Sequence, residues 1–264
     1  MHFTKMHGLG NDYLYVYGEV PENIASISRR LSDRHFGAGA DGMIYISHSD
    51  TADFKMRIFN ADGSEGKMCG NGIRCVGKYV YEKGYTDKTT LKIETLSGIK
   101  TLSLKLKAGK VESVSVAMGR ATVEEPIAFT WGTETYSLHL TDMGNPHAVI
   151  FTRNVEKLDI AAIGTAIQGL FTGGINVEFA EVLGNNKLRM RVWERGSGIT
   201  LACGTGACAS AAAAVHKGLC ERSQTVSVVL DGGTLEIGVG ENNEIQMTGP
   251  AAFIYEGETE ICLN

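Results

Sequence analysis

The chain carries an internal repeat, which constrains its fold more than any other feature of the sequence. Cys69-Gly70-Asn71-Gly72 returns as Cys203-Gly204-Thr205-Gly206, an offset of 203 − 69 = 134 residues. The same offset carries Gly10-Asn11 onto Gly144-Asn145 and Ile24 onto Leu158. It also carries Gly39-Ala40-Asp41-Gly42 onto Gly173-Gly174-Ile175-Asn176, and Arg57-Ile58-Phe59-Asn60 onto Arg191-Val192-Trp193-Glu194. A single short motif recurs by chance, but five correspondences at one offset call for duplication. Two homologous halves are expected, residues 1–116 and 117–250, with the terminal segment 251–264 free to return as a strand to the first.

Both halves follow one pattern. Ile24, Ile27 and Leu31, after Pro21, are spaced i, i+3, i+7 as on one face of a helix. After Cys69, Ile73, Val76 and Val80 keep helical spacing until Gly84. After Cys203, the run from Ala207 to Val215 is a strong helix former, apolar on nearly every side and therefore expected to be buried. Alternating stretches at 101–106, 111–116, 225–230 and 234–239 read as strands. The predicted class is α+β: two pseudo-symmetric domains, each a curled, mostly antiparallel sheet around a central helix, with the active site in the cleft between them.

Composition limits the partners. The 264 residues are 43% apolar, enough for a sizeable core, and carry a net charge of −5. That charge gives no electrostatic reason to expect nucleic acid or an anionic membrane as partner. No stretch reaches the roughly 20 apolar residues of a membrane helix, and Met1–His7 lacks the apolar core of a signal peptide. A cytoplasmic protein with six reduced cysteines is expected. Its partner would be a small molecule, and a homodimer is compatible with the sequence.

Each CGxG motif places a cysteine ahead of a helix whose first turn is rich in glycine. A helix N-terminus presents unpaired N–H groups and about half a positive charge. It should lower the thiol pKa, and its N–H groups can hold a carboxylate. A thiolate beside a carboxylate-binding turn is suited to removing a proton alpha to that carboxylate. Two such turns, facing one ligand, would remove the proton on one side and return it on the other, inverting the centre. Cys69 and Cys203 are the expected acid/base pair, whereas Cys75, Cys208, Cys220 and Cys262 read as packing residues. No metal site is expected.

At these residues the sequence resembles the diaminopimelate epimerase family. The resemblance runs through Lys5-Met6-His7-Gly8-Leu9-Gly10-Asn11-Asp12, Gly37-Ala38-Gly39-Ala40-Asp41-Gly42, Phe59-Asn60-Ala61-Asp62-Gly63-Ser64-Glu65 and Met68-Cys69-Gly70-Asn71-Gly72-Ile73-Arg74-Cys75. It continues through Met143-Gly144-Asn145-Pro146-His147, Gly174-Ile175-Asn176-Val177, Trp193-Glu194-Arg195-Gly196 and Leu201-Ala202-Cys203-Gly204-Thr205-Gly206. It implies conversion of LL-diaminopimelate to the meso form, a lysine and peptidoglycan precursor, without pyridoxal phosphate or other cofactor. By the same resemblance Asn60, Glu194 and the Arg195 backbone hold the reacting amino group, and Gly70-Asn71 and Gly204-Thr205 hold its carboxylate. Asn11, Asn145, Asn176 and the Arg195 side chain read the distal end, while His147 and Glu194 tune the thiols.

Two positions depart from the family pattern. Gly42 stands where many members carry glutamine, and Lys67 where an acidic or amide residue is common. The alternatives are a related racemase or epimerase for another amino acid, such as proline, a non-catalytic amino-acid-binding protein, and a redox pair of Cys69 and Cys203. Retention of both cysteines argues against simple binding, which needs neither thiol.

Overall fold

A computed structural model describes residues 1–260. They divide into two compact units, one comprising Met1–Val116 together with the segment from Gly249 onward, the other Ala117–Thr248.

The first unit begins with a hairpin in which His2–Gly8 and Asn11–Tyr17 run antiparallel. Its two-residue turn, Leu9-Gly10, has positive φ at both residues (57° and 86°), the geometry that matches the natural twist of paired strands. Helix α1 (Ile24–Ser32) then crosses over, so that Gly42–Ser47 lies parallel to Asn11–Tyr17. Phe54–Asn60 returns antiparallel, and helix α2 (Gly70–Glu82) makes a second crossover to Thr90–Thr95, which runs parallel to Phe54–Asn60. Gly98–Lys107 and the strand starting at Lys110 complete an antiparallel meander. Ala252–Glu258 pairs with the far side of His2–Gly8.

The second unit repeats this topology. Glu134–Asp142 and Pro146–Phe151 form the hairpin, and helix α3 (Ile160–Gln168) crosses to a parallel Asn176–Gly184. Lys187–Glu194 follows antiparallel, and helix α4 (Gly204–His216) crosses to a parallel Val226–Leu230, which pairs antiparallel with Gly233–Val239. Each sheet is thus antiparallel except where a helix forces a crossover, since parallel neighbours need a long connection.

Each unit wraps its sheet around its second helix. Strands His2–Gly8, Asn11–Tyr17 and Gly98–Lys107 pack on α2, and strands from Glu134–Asp142 to Gly233–Val239 pack around α4. Every residue of α4 from Gly206 to Val215 is buried, and its run of alanines lets the strands approach closely from several sides. The helices α1 and α3 cover the outer faces with narrower stripes. Ile24, Ile27 and Leu31 pack on Leu14, Met43 and Phe59, and Ile160, Ile163 and Ile167 pack on Val177 and Phe179. Each such side chain contributes about 1.5–3 kcal/mol on leaving water.

One correspondence in the repeat is displaced. Helix α3 starts at Ile160, capped by Asp159, while Leu158 closes a preceding 3-10 turn, Val155–Lys157. The partner of Ile24 is therefore Ile160, two residues beyond the 134-residue offset, because that turn lengthens the connection. By contrast α2 and α4, both of 13 residues, keep the offset.

Candidate active site

Cys69 and Cys203 are the N-cap residues of α2 and α4. Both have extended backbones (φ −133°, ψ 118° and φ −106°, ψ 110°), and both sulfurs accept the N–H three residues on, from Gly72 at 3.3 Å and Gly206 at 3.4 Å. A thiol thereby takes the place of the Ser, Thr or Asp oxygen that usually caps a helix. Gly70 and Gly204 are the first helical residues, and their turns carry N–H groups beyond the end of the helical ladder.

Around Cys69 the first unit supplies amides. Sγ donates to Asn11 Oδ1 at 3.2 Å, and Asn71 Nδ2 donates to the same oxygen at 3.5 Å. Asn11 Nδ2 in turn donates to Asp41 Oδ2 at 2.7 Å, so the carboxylate fixes which end of the amide meets the thiol. Asp41 also accepts from Arg34 at 2.9 Å. The fully buried Arg74 anchors the turn, donating to Asn71 Oδ1 and the Gly70 carbonyl, each at 3.0 Å. Asn60 Nδ2 donates to Ser64 Oγ at 3.0 Å. Lys67 is exposed.

Around Cys203 the second unit supplies carboxylates. Thr205 Oγ1 lies 3.6 Å from Sγ and accepts from Asn145 Nδ2 at 3.4 Å, which repeats the Asn11–Asn71 contact. Glu194 accepts from the Thr200 hydroxyl, and its charge acts on Cys203. Asn176 braces its surroundings: Oδ1 accepts the Arg195 N–H at 3.0 Å and Nδ2 donates to the Pro146 carbonyl at 3.1 Å. The exposed Arg195 guanidinium donates to the Gly173 carbonyl at 3.0 Å. His147 is fully buried and meets Glu178 at 2.7 Å.

The acidity of the thiols differs from the sequence expectation. Both are raised rather than lowered: burial pushes Cys69 up against the pull of the Gly72 and Asn71 N–H groups, Tyr13 and Arg74. Cys203 is pushed well above the ordinary thiol value by burial first, then by the charges of Glu194 and Glu178. A helix terminus offers about 0.3–2 kcal/mol, while burial as deep as that of Cys203 costs a charged group up to about 4–7 kcal/mol, so desolvation wins there. Cys69 is only half-buried, and its rise is smaller. Burial also raises Glu194, helped by the neighbouring Glu178 charge.

Several contributors escape a reading of motifs alone. Tyr13, Arg74, Asp41 and Thr200 touch the two cysteines or the residues that hold them. Glu178 leaves one signal, an acidic residue inside the otherwise apolar strand start Val177-Glu178-Phe179-Ala180. At Gly42 a Cβ would stand 2.2 Å from the Phe59 carbonyl oxygen, so this backbone has no room for a glutamine there. Cys75, Cys208 and Cys220 are buried, and Cys262 lies outside the described residues. Among the described residues no group of three or more His, Cys, Asp or Glu is arranged to hold a metal. No helix among them is long and apolar enough to cross a membrane.

The fold is shared with amino-acid racemases and epimerases. It superimposes on a crystal structure of a probable proline racemase from Agrobacterium radiobacter (TM-score 0.76, 17% identity, 99% of this chain and 93% of that one). It superimposes equally on a phenazine biosynthesis protein of the PhzF family from Bacillus anthracis (TM-score 0.76, 16% identity, 99% of both chains). At that identity the likeness concerns the fold alone. Sequence narrows the class further. A family model described as diaminopimelate epimerase matches residues 3–124 and 139–254. The diaminopimelate epimerase of Acetivibrio thermocellus is 47% identical, covering 99% of both chains. That of Bacteroides thetaiotaomicron is 49% identical, covering 98% of this chain and 97% of its own. The chain belongs to the diaminopimelate epimerase family.

Proposed function

We propose that this protein is an isomerase that converts LL-diaminopimelate to meso-diaminopimelate, with Cys69 and Cys203 acting on opposite faces of one alpha carbon and no cofactor. The observation that carries the mechanism is the pair of N-capping thiols, each joined to the N–H groups of its own helix start. The diaminopimelate epimerases that match over nearly the full chain supply the substrate.

In this reading one thiolate takes the alpha proton while the other thiol delivers one. Both thiols start as weak acids, and a thiolate formed against burial is a stronger base than an exposed one, a better match for a carbon acid. The N–H groups of the turns at Gly70-Asn71 and Gly204-Thr205 bind the alpha carboxylate, where charge grows as the carbanion forms. Asn60, Glu194 and the Arg195 carbonyl receive the ammonium group. Asn11, Asn145, Asn176 and Arg195 serve the distal amino-acid end, where a guanidinium suits a carboxylate. His147 and Glu194 adjust the Cys203 side. The enzyme would work in the cytoplasm to supply lysine and peptidoglycan synthesis, and the sequence is compatible with a homodimer.

Incubation of purified protein with LL-diaminopimelate in deuterated water tests this directly. Deuterium at the alpha carbon of a meso product is expected. Inversion of proline with no action on diaminopimelate would favour the racemase alternative.

A further inference from the structure

Glu178 is a buried charge that the duplication does not account for. It is fully buried in the strand Asn176–Gly184, with Oε1 2.7 Å from His147 Nδ1. The other two polar atoms of the pair, Glu178 Oε2 and His147 Nε2, are buried without a hydrogen-bond partner among the described residues. The same Oε1 lies 2.6 Å from the point where a Cβ on Gly206 would stand, and Cys203 Sγ lies 3.2 Å from that point. Carboxylate and thiol therefore flank one glycine.

The first unit solves the same packing problem without charge. Its equivalent position, 178 − 134 = 44, is Ile44, whose Cδ1 lies 2.6 Å from where a Gly72 Cβ would stand. Tyr13 occupies the place of His147, and the cation beside Cys69, Arg74, is replaced by Cys208 in the second unit. An isoleucine fills this space, whereas a carboxylate must be desolvated at a cost of several kcal/mol. The difference between the units is electrostatic: Cys69 has the Arg74 guanidinium near it, Cys203 the carboxylates of Glu194 and Glu178.

We propose that Glu178 is a positioning residue for Cys203: its buried charge, shared with His147, holds the sulfur as a protonated thiol, ready to donate. This rests on the acid/base role of Cys203, and the only bond involved is its own S–H. The groups that set the charge there come from three strands packed on α4: Glu194 from Lys187–Glu194, Glu178 from Asn176–Gly184 and His147 from Pro146–Phe151. His139, from Glu134–Asp142, lies instead in the field of Lys217 and His216 at the other end of α4. Burial and the charges of Glu194 and Glu178 all push the Cys203 thiol upward, in line with the proposal.

The test is residue-specific alkylation of the full chain with iodoacetamide across neutral to alkaline pH, read by peptide mapping. Glu178→Gln keeps the shape and the hydrogen bond to His147 while removing the charge. Cys203 should then react about tenfold faster, the change in thiolate fraction that one pKa unit produces, while Cys69 keeps its rate. Glu178→Asp, which keeps the charge, and His147→Gln, which leaves it in place, should leave Cys203 no faster than in the wild type. In turnover, the alkaline limb of kcat/KM for Glu178→Gln should move to lower pH, because the donor thiol ionises earlier. Should Glu178→Gln fail to fold, Glu178→Ile carries the same expectation. An unchanged Cys203 rate in the uncharged variant overturns the proposal, as does an equal acceleration in all three variants, which would mark loosened packing. Alkylation needs no substrate, so its outcome is separate from whether diaminopimelate is the substrate.

Discussion

Cys69 and Cys203 share backbone geometry and a capping hydrogen bond, yet their neighbours differ in charge, with Arg74 near one and two carboxylates near the other. Either Cys69→Ala or Cys203→Ala should lower epimerisation by about 10²–10⁴-fold or more, the loss typical of a positioned acid or base. The circular dichroism should not change. Turnover near normal in either variant would remove the two-thiol reading. A different thiol reports on stability. Cys75 is fully buried and its pKa is pushed from 9.0 to about 11 by burial. Its folded value lies above its unfolded one, so its contribution is fully present below pH 9 and is lost as pH rises through 9 to 11. That loss is about 2–3 kcal/mol. Cys75→Ala should therefore lower stability at neutral pH through a small cavity, yet flatten the decline between pH 9 and 11. Denaturant midpoints across that range check it, and parallel curves for both proteins would refute it.

The two capped helices share their cap geometry and rest on different neighbours, so one substitution should have unequal effects in them. A Cβ on Gly206 would stand 2.6 Å from Glu178 Oε1 and 3.2 Å from Cys203 Sγ, both held by hydrogen bonds. A Cβ on Gly72 would instead meet the terminal methyls of Ile44 and Met56, at 2.6 and 3.3 Å. Methyl ends rotate away, whereas the carboxylate must leave His147. Gly206→Ala should cost about 1–3 kcal/mol of overpacking and most of the activity. Gly72→Ala should keep the larger share of both, and thermal melts with turnover assays decide it; equal losses would contradict this account. The elements themselves were legible to differing degrees. α2 and α4 could be placed because Ile73, Val76 and Val80 hold helical spacing and the alanine run admits little else. The offset that carries Ile24 onto Leu158 stops two residues short of the α3 start, since a 3-10 turn leaves no periodicity to read. Alternation marks a strand but not its partner, so the parallel pairings to Gly42–Ser47 and Asn176–Gly184 were invisible. Of the site, the capping cysteines were readable from their glycines, but the acidity of their thiols was not. Spacing reveals a helix end, while desolvation depends on strands distant in sequence.

Duplication gives each unit an N-capping thiol with an amide or hydroxyl beside the sulfur, which in the proposed two-thiol reading is its own proton-transfer apparatus. Inversion needs both, but proton removal needs one. A protein with one thiol left should therefore take an alpha hydrogen from the epimer that presents it to that side and return a solvent hydrogen to the same face. Cys69→Ala and Cys203→Ala, both unable to invert, should each exchange the alpha hydrogen of one epimer in deuterated water, with retention, and each should select the opposite epimer. The rates should fall well below wild-type epimerisation, because a carbanion without its acid partner survives only while electrostatic contacts to its carboxylate hold it. Proton NMR of LL- and meso-diaminopimelate incubated with each variant reads both the exchange and the configuration. Exchange of the same epimer by both variants would mean that the two sulfurs work on one face. Loss of exchange for both epimers in both variants would mean that proton removal itself depends on the second thiol. Opposite selectivity requires only that the two capping thiols approach the alpha carbon from opposite faces.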